Sequence, residues 1–282
     1  MTTTEKTPGR RESKVQLRLA VRIVVLILTA MGLTHEACAQ ELRVAAASDL
    51  QFVMPELAAQ FEKQSSVRLN VTYGSSGNFF SQIQSGAPFD LFFSADMDYP
   101  RRLVSGGLAE PDTLFQYALG QIVIWAPANS NLDPERDYWK ALLDPSVQKI
   151  AIANPEHAPY GRAAVAALKK AGLYDLLQTK LVYGENISQA AQFVQSGNAQ
   201  AGLLALSLAL SPAMRDGKRW QIPGDLHPPI QQAAVVLKSS SGPHAARAFL
   251  EFLKTPPARS TLSHFGFQIP SASPTPTSPA HH

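Results

Sequence analysis

"YGSSGNFF", Tyr73 to Phe80, follows a run in which Leu69, Val71 and Tyr73 are apolar while Asn70 and Thr72 are polar. That alternation has the period of a β-strand. The octet itself holds two serines, two glycines and no charge. It marks a place where a strand hands over to a helix: the glycines let the backbone turn tightly, and the serines offer hydroxyls that can cap a helix. A helix start of this kind presents free N–H groups, which is half of an anion site. Taken alone, the loop also fits an ordinary strand-to-helix turn.

The same handover recurs along the chain. "LRVAAAS" (Leu42–Ser48) has the unbroken apolar character of a buried strand, and Leu50, Val53, Leu57, Ala58 and Phe61 then form a helical stripe. Pro55 conflicts with a helix interior, so the regular helix starts only a few residues before it. "DLFFSA" (Asp90–Ala95) is the next buried strand and Met97–Gly106 the next short helix. Further strands are expected at "QIVIWAP" (Gln121–Pro127), "KIAIANP" (Lys149–Pro155), "KLVYG", "AGLLALS" and "QAAVVLK". Helices are expected at "DYWKALLD", "GRAAVAALKKAG" (Gly161–Gly172), "SQAAQFVQSG" and "HAARAFLEFLK". This alternation predicts an α/β protein with parallel sheets wound by helices on both faces. In such sheets ligands sit beyond the carboxyl ends of the strands, where helices begin.

Composition narrows the classes. The chain has 282 residues, 45% hydrophobic and 17% charged, which suits one large soluble domain or two small ones. The net charge of +3 owes much to Lys6, Arg10, Arg11, Lys14, Arg18 and Arg22 at the start. No dense basic cluster with interleaved aromatics follows, which argues against a nucleic-acid partner. The basic start leads into the apolar run Ile23–Leu33, too short to span a bilayer comfortably, and then into "ACA" at Ala37–Ala39. Residues 1–39 therefore fit a cleavable signal peptide, and the mature protein is expected in the periplasm. Arg10-Arg11 followed by "ESKV" leaves both the general and the twin-arginine export routes open. Cys38, the only cysteine, falls inside the cleaved segment, so neither disulfide nor thiolate chemistry is expected. "SASPTPTSPAHH", residues 271–282, has the composition of a disordered tail.

Four strand-to-helix junctions are rich in small polar residues. "AAASDL" contributes Ser48 and Asp49, and "YGSSGNFF" contributes Ser76. "NPEHAPYGR" places Pro155, Pro159, Tyr160 and Gly161 ahead of a helix, and "YGENISQA" does the same with Asn186, Ile187 and Ser188. The only cation in these stretches is Arg162, inside its helix. If the junctions converge, several N–H groups and positive helix ends face one point, which suits an anion held by dipoles rather than by salt bridges. No Gly-x-x-x-x-Gly-Lys or Gly-x-Gly-x-x-Gly loop argues for a nucleotide, and no His-Glu-x-x-His or Cys/His cluster for a metal. His157 admits a general-base role beside Ser48 or Ser76. No Gly-x-Ser-x-Gly elbow frames either serine, and a lone loop histidine is commonly a local hydrogen bonder. Trp125 and Trp139 sit on apolar faces and belong to the core.

Taken in order, "AAASDL", "YGSSGNFFSQIQSGAPFDLFFSAD", "PEHAPYG" and "GENISQAAQFVQSGNAQAGLLALS" resemble the periplasmic molybdate-binding proteins of ATP-binding-cassette importers, over about Glu41–Pro270. The resemblance implies a two-lobed periplasmic binding protein fold, type II-like, each lobe a wound sheet flanked by helices. Lobe one would be residues 40–118 plus 230–270, and lobe two residues 119–229. It implies a receptor rather than an enzyme, with no cofactor, no metal beyond the oxyanion, and no nucleic-acid partner. Such a receptor works as a monomer that delivers molybdate or tungstate, tetrahedral dianions of nearly equal size, to a membrane permease. By the same resemblance Ser48 and Ser76 each give the ligand a hydroxyl and an N–H, while Asp49, Tyr160 and Ile187 give N–H groups. Some members also supply a tyrosine hydroxyl where this chain has Ala205, and Ser207 or the Tyr160 hydroxyl are the candidate replacements. The alternatives are a receptor for another small oxyanion such as phosphate or sulfate, and a serine-dependent periplasmic hydrolase.

Overall fold

Glu41–Ala47 forms β1, and its side chains divide between two cores with the period of a strand. The structure, a computed structural model, describes residues 40–270. The expected signal peptide with its export route, Cys38 and the expected tail lie outside the described residues. After β1 come α1 (Met54–Ser65), β2 (Arg68–Gly74), α2 (Ser76–Gln84), β3 (Leu91–Ser94), α3 (Asp98–Ser105) and β4 (Phe115–Gly120). The second group is β5 (Ile122–Ala126), α4 (Pro134–Asp137), β6 (Ile150–Ala153), α5 (Pro159–Lys170), α6 (Tyr174–Leu177), β7 (Leu181–Gly184), α7 (Ile187–Gln195), β8 (Ala201–Ala205), α8 (Leu206–Ala209) and β9 (Lys218–Gln221). The chain then returns through β10 (Ile230–Val236), α9 (Pro243–Phe252) and α10 (Pro256–His264).

Two five-stranded sheets result, in the orders β2-β1-β3-β10-β4 and β7-β6-β8-β5-β9. In the first, Leu42, Val44 and Ala46 of β1, Leu91 and Phe93 of β3, and Ala234 and Val236 of β10 meet Leu57, Phe61 and Phe249 from α1 and α9. Ala45, Phe92 and Val235 point the other way, onto Phe79, Phe80 and Ile83 of α2 and Leu103 of α3. Burial on both faces explains why these strands have no polar alternation. Phe61 packs on Phe249 with ring centroids 5.1 Å apart, and each such fully buried ring contributes about 1.5–3 kcal/mol. A third core fills the second lobe around β5, β6 and β8. The fold is therefore a two-lobed α/β architecture with helices flanking each sheet.

Three expectations need correcting. The sheets are mixed rather than parallel: β10 runs antiparallel to β3 and β4, and β5 runs antiparallel to β8 and β9. Both are the strands that enter a sheet straight from the other lobe, so their direction is imposed by the crossing and not by a helical return. Leu119 and Gly120, expected to open lobe two, pair with Gln231 and Ile230 in the first sheet. "DYWKALLD" is not one helix. α4 is started early by Pro134 and by Asp133, whose side chain accepts from the Arg136 N–H at 3.1 Å, and Tyr138 at φ 52° then breaks it before a 3₁₀ stretch.

One buried carboxylate ties the first lobe together. Asp90 Oδ2 accepts from the Arg43 N–H at 2.7 Å and from Arg43 Nε at 3.2 Å. Its Oδ1 accepts from the Ser241 N–H at 2.7 Å and from the Ser240 hydroxyl at 3.0 Å. Burial alone would raise this carboxyl, but these hydrogen bonds outweigh it and hold Asp90 below the usual carboxylate range. The stability it adds is present above the ordinary unfolded value near ~4 and is lost as pH falls through the lower folded value. Asp90→Ala leaves buried donors without an acceptor and should lower the unfolding free energy by about 3 kcal/mol at neutral pH. A urea titration measures this, and a change within about 0.5 kcal/mol, the range of inert surface substitutions, would contradict it.

Candidate functional site

The four small-polar junctions meet. Ser48, Asp49, Ser76, Tyr160 and Ile187 all line one cavity of about 10 Å³, together with Ser75 and Asn186. Ser48 and Asp49 open a 3₁₀ turn directly after β1. Ser75, in extended conformation, caps α2 by accepting from the Asn78 N–H at 3.3 Å. Asn186 caps α7 in the same way, accepting from the Gln189 N–H at 3.0 Å. Pro159 opens α5, where its missing N–H costs nothing. The N–H groups of Ser76, Tyr160 and Ile187 thus fall in first helical turns, which have no intrahelical acceptors for them. No lysine or arginine lines the cavity, so its positive character comes from peptide dipoles. Space of this size admits a water or a small ion, not an organic solute.

The two serine hydroxyls are placed differently. Ser76 Oγ accepts from the Ala95 N–H at 3.0 Å, which leaves its own proton free to donate. Ser48 Oγ accepts from the Ser188 N–H at 3.3 Å and donates to Asn186 Oδ1 at 3.1 Å, so it bridges the lobes.

Glycine in "YGSSGNFF" has a different use from the tight turn expected of it. Neither Gly74 nor Gly77 has a positive φ. Gly77 instead allows close approach: its N–H donates to the His157 carbonyl across the cleft at 2.9 Å. A Cβ there would lie 2.7 Å from the Tyr99 hydroxyl and 2.8 Å from that same carbonyl oxygen. His157 in turn places Nε2 2.9 Å from the Glu185 carbonyl. Asn78 Nδ2 donates to Glu185 Oε1 at 3.0 Å, and Arg162 forms an ion pair with Asp96. His157 is therefore part of the rim where the lobes touch. The partners of Ser48 and Ser76 are Asn186, Ser188 and Ala95 rather than His157, so no nucleophile–base pair is assembled.

Behind the cavity lies a buried polar network that the sequence reading missed. Asp49 Oδ2 accepts from Gln232 Nε2 at 2.7 Å, and Tyr117 donates to Gln232 Oε1 at 2.9 Å. Gln232 Nε2 also lies 3.3 Å from the Tyr160 hydroxyl, which is within hydrogen-bonding reach of the Asp49 carboxyl. Tyr160 comes from α5 in the second lobe, and the other three belong to the first. Gly120 makes room for the hydroxyl, since a Cβ at Gly120 would lie 2.3 Å from it. Burial lifts the Asp49 carboxyl to about 6 against the hydrogen bonds that favour its charge. Burial and then the neighbouring Asp49 push Tyr160 well above its ordinary value.

The same geometry bears on the two candidates for the hydroxyl absent at Ala205. Ser207 is on α8 rather than on the strand, and its hydroxyl donates to the Asp49 carbonyl at 2.7 Å. The Tyr160 hydroxyl faces Gln232 and Asp49. Both are committed to protein groups. A glutamine and a tyrosine with almost no exposure inside apolar strands, Gln232 and Tyr117, were the sequence signal for the network. Among the described residues no group of three His, Cys, Asp or Glu side chains is placed to hold a metal ion.

Comparison with known proteins places the chain. The family described as bacterial extracellular solute-binding protein matches residues 42–268. The molybdate-binding protein of Rhodobacter capsulatus is 38% identical over 237 residues, which cover 84% of this chain and 92% of that protein. Its counterpart from Azotobacter vinelandii is 38% identical over 247 residues, covering 86% and 97%. The solved structure of the Azotobacter vinelandii periplasmic molybdate-binding protein matches with a TM-score of 0.76 at 34% identity, over 82% of this chain and 100% of that one. These relatives are solute-binding proteins and not enzymes. With its two lobes and its cavity between helix starts, the chain belongs to the bacterial extracellular solute-binding proteins and is a homologue of their molybdate-binding members.

Proposed function

We propose that this protein is a periplasmic receptor that binds molybdate or tungstate between its lobes and delivers it to the membrane permease of an ABC importer. One observation carries the reading: helix starts from both lobes converge on a cavity of about 10 Å³ with no cationic side chain on its wall. Ser48, Asp49, Ser76, Tyr160 and Ile187 supply the N–H groups, and Ser76 adds a hydroxyl proton that no protein acceptor claims. The N–H groups and the Ser76 hydroxyl favour an anion rich in acceptor oxygens, such as a fully deprotonated dianion. The identity to molybdate-binding relatives supports molybdate over sulfate and over phosphate. The lobes close by bending where the chain crosses between sheets, at Gln121 and at Pro229, and the receptor acts as a monomer.

Ligand that binds only the folded state must stabilise it, by about 2.7 kcal/mol at a hundredfold excess over the dissociation constant. A thermal scan should therefore shift upward with sodium molybdate and with sodium tungstate, and a scan unmoved by either would end this reading. Ser76→Ala should weaken molybdate binding by roughly 1.5–3 kcal/mol, the scale of a hydrogen bond to a charged partner, and His157→Ala by clearly less. Calorimetric titration ranks the two, and the reverse order would refute the assignment of Ser76. Gly77→Ala should keep the wild-type circular dichroism spectrum yet lose at least about tenfold in affinity, or about 1.4 kcal/mol, because the new methyl holds the jaws apart. Undiminished affinity in that variant would show that the lobes do not meet at Gly77 when ligand is bound.

A further inference from the structure

Asp49 is the one acidic side chain on the cavity wall, and its surroundings are unusual for a carboxylate. The residue is 0% exposed. Oδ2 accepts from Gln232, while Oδ1 has no hydrogen-bonding partner among the described residues. The groups that face it are neutral around physiological pH. β4 presents Tyr117, α5 presents Tyr160 and β10 presents Gln232. α8 presents Ser207, which holds the Asp49 carbonyl, and α7 has no ionisable side chain. β2 carries Tyr73 near the cavity end, where burial pushes it up to about 12. Its one cation, Arg68, lies at the opposite end of the strand, opposite Glu41, and pairs with Glu62.

A dianion that accepts from the Asp49 N–H sits, by covalent geometry alone, within a few ångströms of this carboxyl. Two negative groups so close repel, with no side-chain cation on the wall to offset them. We propose that Asp49 takes up a proton when the anion binds, so that the receptor binds the dianion and a proton together. The inference rests on the anion-site reading above. Oδ1, which makes no hydrogen bond, carries the proton, and the Gln232 bond to Oδ2 is kept. Burial already lifts the carboxyl to about 6 in the absence of ligand, and a bound dianion lifts it further. The sign follows from linkage. Below the ligand-free value the proton is present before binding, and affinity is flat. Above it a proton must be acquired, and affinity falls with rising pH by up to about tenfold per unit until the ligand-bound value is reached.

The test is calorimetric titration of the purified protein with sodium molybdate from about pH 5.5 to 8.5, in buffers of different ionisation enthalpy. The wild type should lose affinity above about pH 6 and take up close to one proton per molybdate at pH 7.5. Asp49→Asn should show neither the slope nor the proton uptake. Binding of equal affinity across the range with no proton taken up would overturn the proposal, and so would a slope that survives in Asp49→Asn. Should that variant fail to fold, the proton count of the wild type decides alone. Absence of molybdate binding at every pH would instead remove the anion-site reading on which the proposal stands.

Discussion

A helix leaves its first amide N–H groups without carbonyl acceptors, and burying them without a partner is costly. The rest of this structure follows from putting several such starts at one place. Strands β1 and β2 of the first sheet, and β6 and β7 of the second, end beside the cleft and feed directly into helical turns. Two of these starts are capped by a short polar residue, Ser75 on α2 and Asn186 on α7, while the turn after β1 and α5 have no side-chain cap. Small polar residues leave this cavity open, because a long side chain would fill it. Cations are not needed, because peptide dipoles supply the positive potential without the flexible stems and hydration of lysine or arginine.

The closed arrangement is held by two kinds of contact at different depths. At the rim, polar groups meet across the cleft: Gly77 with His157, Asn78 with Glu185, Arg162 with Asp96. The exposed side-chain contacts among these are individually weak. Deeper, the Tyr160 side chain reaches into the first lobe and rests against Gln232 in the space left by Gly120. The same residue thus lines the cavity and sets its ring at the lobe interface, so the cavity wall and the position of the lobes are linked through one residue.

Much of this was legible from the sequence, for reasons that are local. β1, β3 and β10 announce themselves as apolar runs because both of their faces are buried. The four junctions stand out because capping chemistry is written within three or four residues. Strand direction was not legible, since an apolar run reads the same either way and the antiparallel placement of β5 and β10 is set by the lobe crossings. The role of Gly77 was misread because tight turns and close approach both select glycine. The network of Asp49, Tyr117, Tyr160 and Gln232 joins residues from four separate stretches, and polar residues within strands, Gln232 and Tyr117, hint at it without linking its members.

The position of the crossing strands also governs the order in which the molecule can be built. In the first sheet β4 sits at the edge, with β10 as its one strand neighbour and a single further bridge from Leu119 to Gln268, and in the second β9 sits at the edge beside β5. β4 must therefore wait for a partner that lies a whole lobe further along the chain, with its backbone groups unpaired until then. The second lobe, contiguous in sequence, can close on itself first and bring the two ends of the first lobe together. Such long-range pairing slows folding and exposes an unpaired edge to other chains meanwhile. A chain that becomes free to fold from its amino terminus onward would complete its first sheet last.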